Sequence, residues 1–311
     1  MKKILILIAI LGIILSGCSP NNESFTSLFN GKDLTNWEMP GEVPGFEVSG
    51  GIIVAEPPGE SDLFTEKQFG NFIFRFEYLL SKVGNSGVLI RCDPEDPWGT
   101  GVEVQLLAPW TPYRDDLHCT GSIYGHVAVT NRPDETTGIW HEMEIKCDRK
   151  NISISVDGQV ATVANIDTVA SMKDKHLAGV IGFQSNHSEE GEFAHFRNIS
   201  IRDLDANPGY VAKGFYEEDE RVREQAHKAA ETMGTPMIEL LALMLTNENP
   251  VAQTGARQVL FDITAQSTTP DVPKSEKKDM IKALKKSLKN CSSETASGYL
   301  RWLLEMAKST E

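Results

Sequence analysis

The sequence predicts a mainly β protein, an antiparallel sandwich followed by a small all-α helical-repeat domain. Across residues 25–204, many short segments alternate apolar and polar residues. Turns rich in Gly, Pro and Asn separate these segments, with no helical patterns between them. From about Glu217 the residues favour helices, and a segment there repeats after 43 positions, as Met237 and Met280 illustrate. A chain of 311 residues is long enough for both units.

Individual strands are indicated by their two-residue period. Residues 72–78 alternate aromatic with mixed side chains, which is typical of a strand that lies over a core. Residues 152–160 predict a hairpin, because Asp157 and Gly158 supply the positive φ angles that a two-residue turn requires. In residues 102–106 the apolar side chains share one face, so the carboxylate and the amide lie on the other face.

The C-terminal region, residues 217–311, predicts a small α-solenoid of HEAT-like helical pairs. The repeat stays in register through 237–241 and 280–284, Leu245 and Leu288, Gly255 and Gly298, and 259–261 and 302–304. Two unrelated amphipathic hairpins would share part of this pattern, so chance similarity is the alternative. Residues 205–216, which include Asn207-Pro208-Gly209, are expected to form a linker.

The first residues are typical of a bacterial lipoprotein signal peptide. Two lysines precede an apolar run at residues 4–14, which is too short to span a bilayer comfortably. The tetrapeptide that ends at Cys18 resembles a lipobox, so residues 1–17 would be removed and Cys18 would carry the acyl chains. Residues 18–24 would form a tether, and the protein would lie in the cell envelope, on the periplasmic or outer-surface side of a membrane. An uncleaved anchor helix is the alternative.

Charge and cysteine content exclude some functions. The formal net charge is −14 and no basic face is evident, so we expect no nucleic-acid partner. Besides Cys18, the chain has four cysteines: Cys92, Cys119, Cys147 and Cys291. They lack the paired close spacing of a zinc site, and we assign no chemistry to them.

Several segments of the β region, taken in order, resemble one bacterial family. The segments are 27–37, 85–91, 102–105, 121–124, 179–184 and 196–199. Each is weakly specific alone, but the ordered set covers the whole predicted β region, 25–204, and resembles the 3-keto-disaccharide hydrolase family. This resemblance implies a concanavalin- or laminin-G-like jelly roll, and it implies cleavage of sugars that are already oxidised at C3.

The chemistry of such a substrate can be argued from the carbonyl group. A C3 ketone acidifies the C2 proton, and the glycosidic oxygen at C1 is then placed to leave by β-elimination. Addition of water to the enone completes a net hydrolysis, whereas release of the enone makes the enzyme a lyase. Two alternatives stay open: a carbohydrate-binding lipoprotein without turnover, and a scaffold whose helical domain binds a protein partner such as a sugar oxidoreductase.

Three residues are candidates for catalysis. Glu103 matches the glutamate of the family and is the first candidate for the general base. His187 is the rival base or acid, although Ser188 follows it where the family more often has glycine. Arg91 is a candidate for binding the enolate oxygen, because a guanidinium group stays charged and offers forked donors. Each residue has a structural alternative, as an ordinary strand glutamate, a surface histidine or a partner of an acidic loop.

Polar side chains near these residues are candidates for binding sugar hydroxyls. They are Gln105, Gln184, Arg197, Asn85, Ser86 and Tyr124. Some would instead shape turns or pair with neighbouring carboxylates. We expect no cofactor, and the sequence leaves a divalent metal open. We also expect the catalytic glutamate, the two glutamines and the two arginines to meet in one hexose-sized hollow.

Overall fold

The computed structural model describes residues 24–56, 60–112, 114–185, 187 and 190–309. The signal peptide at 1–17, the acylation site at Cys18 and all but the last residue of the tether lie outside the described residues. Within the described part, no helix combines the length and the apolar character that crossing a bilayer requires.

The β region consists of short strands, as their alternating sequences predict. They are β1 (Thr26–Ser27), β2 (Trp37–Glu38), β3 (Glu47–Ser49), β4 (Ile52–Ala55), β5 (Leu63–Thr65), β6 (Phe72–Leu80), β7 (Asn85–Cys92), β8 (Val102–Leu107), β9 (His141–Asp148), β10 (Asn151–Val156), β11 (Gln159–Asn165), β12 (Val180–Phe183) and β13 (Ala194–Asp203). The larger sheet has the order β11-β10-β9-β6-β13-β4-β3, with β1 also paired to β13, and the smaller sheet has the order β2-β5-β12-β7-β8.

The two sheets pack face to face around an aromatic core. Phe74 and Phe76 of the larger sheet contact Phe183 of the smaller sheet, with ring centroids 6.0 and 5.3 Å apart. Phe183 also stacks on Phe196 at 4.2 Å. Because side chains alternate along each strand, burying one face of a sheet leaves its opposite face for other purposes. The predicted jelly-roll sandwich is confirmed.

The predicted hairpin at 152–160 is also confirmed. β10 and β11 pair antiparallel, and the turn between them contains Asp157 and Gly158. Their φ angles are 49° and 75°, the left-handed conformation that Asp-Gly adopts at low cost.

The second unit is all-α. Besides a one-turn helix in the β region, α1 (Pro97–Thr100), the helices are α2 (Pro208–Gly214), α3 (Glu220–Met233), α4 (Ile238–Met244), α5 (Pro250–Ser267), α6 (Lys274–Asn290) and α7 (Glu294–Lys308). They form three successive pairs. First helices contact in the order α2, α4, α6, and second helices in the order α3, α5, α7, as in a solenoid. The assignment of these pairs to HEAT repeats stays a prediction.

The segment expected to be a linker, 205–216, is mostly helical. It contains α2, whose Val211 and Ala212 are buried in the core of the helical unit together with Phe215. Asn207 caps α2 by accepting a hydrogen bond from the amide of Tyr210. The signals that suggested a linker therefore mark a helix start, because Pro is favoured in the first helical turn.

Ionic and polar contacts join the helical unit to the sandwich. Lys150, 8% exposed, pairs with Asp167 of the β region and with Asp219, the N-cap of α3. The Tyr210 hydroxyl donates to Asp148 at 2.7 Å. Val222 of α3 packs into the core of the sandwich. The helices therefore pack directly against the β region.

Candidate active site

The candidate site lies on the outer face of the smaller sheet. On β8, Val102, Val104 and Leu106 belong to the core between the sheets. The two polar residues between them, Glu103 and Gln105, therefore point to the opposite face, as the alternation predicts.

Strand pairing brings two further residues into line with Gln105: Gln184, which the sequence predicted, and Asp62, which it did not. Gln105 is opposite Gly87 of β7, and the amide of Gln184 donates to the Gly87 carbonyl at 2.9 Å. Gln184 follows the last residue of β12, which pairs with the first residue of β5, so Asp62 extends the same row. One row across four adjacent strands therefore contains Gln105, Gly87, Gln184 and Asp62, and we call it the polar row. Glu103 lies on the same face of β8, two residues before Gln105.

The absence of a side chain at Gly87 leaves room for the Glu103 carboxylate. A Cβ atom on Gly87 would lie 2.1 Å from Oε1 of Glu103, a distance that real contacts do not allow. The carboxylate therefore leans across β7 toward the middle of the polar row. Glycine at this position therefore allows the carboxylate to lie against the β7 backbone.

The Glu103 carboxyl group is almost completely buried. Its residue is 4% exposed, and Oε1 has no hydrogen-bond partner among the described residues. Burial, and secondarily the negative charge of Asp62, raises the pKa of Glu103 from 4.5 to about 8. A carboxyl group in this environment holds a proton at neutral pH and becomes a strong base when it ionises.

Asp62 was not anticipated from the sequence. Its Oδ1 accepts a hydrogen bond from the amide of Ser185 at 2.8 Å. Burial raises the pKa of Asp62, while that hydrogen bond and the nearby His187 act in the opposite direction. The available signal was a carboxylate directly before the apolar β5, where a partly buried acid is costly without a purpose.

A short segment at the edge of the smaller sheet borders Glu103. The amide of Tyr124 donates to the Glu103 carbonyl at 3.0 Å, and Ile123 lies in the core. By alternation, Ser122 and Tyr124 lie on the site's face of the sheet. The Ser122 hydroxyl is buried, and no described group bonds to it. Tyr124 is 38% exposed and contacts His118 edge-on, with ring centroids 4.8 Å apart.

A cavity of about 460 Å³ opens at this edge. Its lining residues are Pro112, Arg114, Asp115, His118 and Tyr124. Its volume falls within the range of small-ligand sites. Tyr124 connects this cavity to β8, because its amide donates to the Glu103 carbonyl.

Two predicted sugar-binding residues, Ser86 and Asn85, make hydrogen bonds within the protein. The Ser86 hydroxyl donates to the Gln184 carbonyl at 2.6 Å and is fully buried, so it is not directed at the site. The carbonyl of Asn85 accepts from the amide of His187 at 2.8 Å. His187 is exposed and lies at the Asp62 end of the row.

The two predicted arginines do not join the cluster. Arg91 has a φ of 54°, and its guanidinium donates to the carbonyls of Gly70 and Arg149 at 2.8 and 2.7 Å. Arg197 lies on β13 of the larger sheet, pairs with Glu77 at 2.7 Å and stacks on Trp140 at 4.0 Å. The expectation that both arginines converge on one hollow with the carboxylate and the glutamines is wrong, because one crosslinks loops and the other belongs to the other sheet.

Other reactive groups offer little to this site. No group of three or more His, Cys, Asp or Glu side chains in the described ranges is arranged to hold a metal ion. Cys92, Cys119 and Cys147 are buried free thiols. Burial raises the pKa of each thiol, so none is activated as a nucleophile.

The jelly-roll sandwich, with carboxyl and amide side chains aligned on one face of its smaller sheet, belongs to a carbohydrate-active, glycosyl-hydrolase-like class of protein. More narrowly, the chain belongs to the 3-keto-alpha-glucoside-1,2-lyase-like domain family, whose model matches residues 24–202, more than half of the chain.

Two solved structures from Parabacteroides distasonis, each described as a proposed glycosyl hydrolase, are similar to this chain. One is 26% identical with a TM-score of 0.51, over 58% of this chain and 94% of that chain. The other is 23% identical with a TM-score of 0.52, over 58% of this chain and 100% of that chain, and supports the fold alone. No curated protein matches the chain.

Proposed function

We propose that this protein cleaves the glycosidic bond of 3-keto-glycosides, with Glu103 as the base that removes the C2 proton. One observation carries the proposal. A buried carboxyl group with an unpartnered oxygen lies over a glycine, in the middle of a row of amide and carboxyl side chains. Family membership supports the same substrate class.

The reaction is a β-elimination followed by hydration. The Glu103 carboxylate takes the C2 proton, and the electrons of that C–H bond form the enolate of the C3 ketone. When the enolate collapses, a C1–C2 double bond forms, the C1–O bond breaks and the departing oxygen takes up a proton. Water then adds to the enone, with its oxygen at C1 and a proton at C2. The raised pKa suits Glu103 to this task, because a base is most effective when its pKa is near the working pH.

The two glutamines are suited to holding the sugar. Oε1 of Gln105 accepts from the amide of Leu106 at 2.7 Å, which leaves the side-chain nitrogen free to donate to a substrate oxygen. Gln184 lies between Glu103 and Asp62 and is 5% exposed. Asp62 ends the row on the β5 side and His187 lies close to it, so we assign protonation of the departing oxygen to one of these two residues.

A carbohydrate-binding protein without turnover is the second candidate, since the same polar face would bind sugar hydroxyls. Purified protein incubated with 3-keto-trehalose or 3-keto-sucrose distinguishes the two functions. Mass spectrometry should detect a free sugar together with the enone or its hydrate. The Glu103→Gln variant should keep its affinity for the substrate and lose turnover. The matched control Glu142→Gln, at an exposed position on the larger sheet, should be fully active. Binding without any product from the wild type would support the second candidate.

We also propose that the protein is held in the cell envelope by acyl chains on Cys18. The support is the sequence alone: an apolar run at 4–14 followed by a lipobox-like tetrapeptide. Radiolabelled palmitate should be incorporated into the wild type and not into Cys18→Ala. Equal labelling of the two proteins would contradict the anchor.

A further inference from the structure

α6 carries an unusual concentration of positive charge. It contains seven lysines and two acidic residues, in a chain whose formal net charge is −14. Five of the lysines recur at intervals of four, four, three and four residues, which places them along one side of a helix. We call them the lysine stripe: Lys274, Lys278, Lys282, Lys285 and Lys289.

The lysine stripe faces solvent. All five side chains are exposed, whereas Met280, Ile281 and Leu284 bury the opposite part of the helix. Lys286 lies outside the stripe and forms an ion pair with Glu239 at 2.8 Å. Within the described part of the chain, no carboxylate forms an ion pair with a lysine of the stripe.

Helix stability does not account for this arrangement. Like charges four residues apart repel one another, so the stripe weakens the helix instead of supporting it. The acidic residues of α6 do not alternate with the stripe, as they would in a solvated face of mixed charge. From its first lysine to its last, the stripe extends about 22 Å along the helix. A continuous row of this length matches an extended anionic surface better than a single small anion.

The strand pairing and the helix order relate the stripe to the N-terminal tether. β1 pairs with the last strand, with Thr26 opposite Ile201, so the chain enters the β region next to the point where it leaves for the helices. α6 is the last helix of the row α2, α4, α6, about 20 Å from α2 at ordinary helix spacing. The six residues that follow Cys18, Ser19 to Ser24, reach at most about 20 Å. A lipid on Cys18 would therefore keep the helical unit close to a bilayer.

We propose that the lysine stripe of α6 docks on the phosphate headgroups of an anionic phospholipid bilayer. A lipid anchor alone leaves the body of the protein free to turn on its tether. Lysines at the membrane surface add an electrostatic contact that fixes one orientation. The net negative charge of the rest of the molecule repels the same surface, which leaves the stripe as the face that can approach. This inference does not depend on the catalytic proposal.

Vesicle sedimentation tests the inference. The chain from Ser19 to Glu311 lacks the acylation site but keeps both hydrophobic cores, which lie between Phe29 and Ala307. It would be mixed with vesicles of phosphatidylcholine alone, or with 30% phosphatidylglycerol added. The stripe variant neutralises four lysines: Lys278→Gln, Lys282→Gln, Lys285→Gln and Lys289→Gln. The control variant removes four exposed positive charges elsewhere: Lys32→Gln, Lys82→Gln, Lys173→Gln and Lys228→Gln.

The wild type should bind only the vesicles that contain phosphatidylglycerol, and high salt should release it. Each lysine near the surface contributes about fivefold to the partition coefficient, so the stripe variant should bind at least about tenfold more weakly. The control variant should bind as the wild type does, and circular dichroism should show equal helix content in all three proteins. Three results would overturn the inference: equal binding to neutral vesicles, an equal loss in both variants, or binding to soluble polyphosphate but not to vesicles.

Discussion

Replacing Glu103 with glutamine should stabilise the fold in a pH-dependent way, which is the reverse of its effect on activity. In the folded protein the pKa of Glu103 is raised from 4.5 to about 8, chiefly by burial. In the unfolded chain this carboxyl group ionises near pH 4.5. Between these two values the unfolded state releases a proton that the folded state keeps, so ionisation favours unfolding and wild-type stability falls as pH rises.

The size of the effect follows from the pKa difference. Each pKa unit corresponds to about 1.36 kcal/mol, so the raised pKa costs the wild type about 4 kcal/mol at pH 8, where the folded carboxyl group is half ionised. Glutamine has nearly the same shape and does not ionise. The free energy of unfolding of Glu103→Gln relative to wild type should therefore increase between pH 4.5 and pH 8, by an amount approaching that figure.

Urea unfolding followed by circular dichroism at pH 5, 6.5 and 8 measures this difference. Glu142→Gln, on an exposed position of β9, is the control and should show a difference from wild type that does not change with pH. A constant difference between Glu103→Gln and wild type across this range would refute the reasoning, because it would mean that Glu103 ionises alike in the folded and unfolded chains.

Three further predictions concern the site and the two arginines that lie outside it. If Glu103 is the base, kcat/KM should rise tenfold per pH unit and level off near pH 8. Asp62→Asn should move this rise in the pH profile to lower pH, because it removes the negative charge that helps to raise the pKa of Glu103. An unchanged pH profile would contradict the electrostatic interaction between Asp62 and Glu103. Gly87→Ala should reduce kcat by at least about tenfold, since a Cβ would displace the carboxylate; full activity would show that the carboxylate can lie elsewhere. Arg91→Met should lower the free energy of unfolding by about 3 kcal/mol, since it leaves buried acceptors unpaired. Arg197→Met, at a partly exposed position on the larger sheet, should cost under about 1 kcal/mol, and equal losses would contradict the placement of Arg91.

The sequence predicted the parts of the fold and site that depend on local pattern. Alternation along 102–106 correctly placed Glu103 and Gln105 on the face away from the core, because the side-chain period of a strand is fixed by its backbone. The turn at Asp157 and Gly158 was predictable for a similar reason, since few residue pairs tolerate its φ angles.

Features that depend on strand pairing could not be predicted in this way. Arg91 was expected at the end of a strand pattern with its guanidinium in the site, but the register shifts opposite it, between Val180 and Ile181, and its positive φ turns the side chain away. Arg197 was misplaced because alternation does not tell which sheet a strand joins. Asp62 was missed because only the pairing of β5 with β12 brings it into line with Gln184.

The boundary between the two units was also predicted only in part from local sequence signals. Asn, Pro and Gly at 207–209 signal a break in structure, and they are equally common where a helix begins. Only the burial of α2 against its neighbours distinguishes the two cases. Local signals therefore located the boundary without revealing that the segment is helical.

Cleavage of a 3-keto-glycoside in D₂O tests the central claim most directly, because elimination and direct hydrolysis differ at a single hydrogen. If Glu103 removes the C2 proton and water then adds to the enone, the 3-keto sugar that is released should carry one solvent deuterium at C2. Incubation with Glu103→Gln measures any exchange that the enzyme does not catalyse. A released sugar that retains its original C2 hydrogen, from the active wild-type protein, would contradict the account.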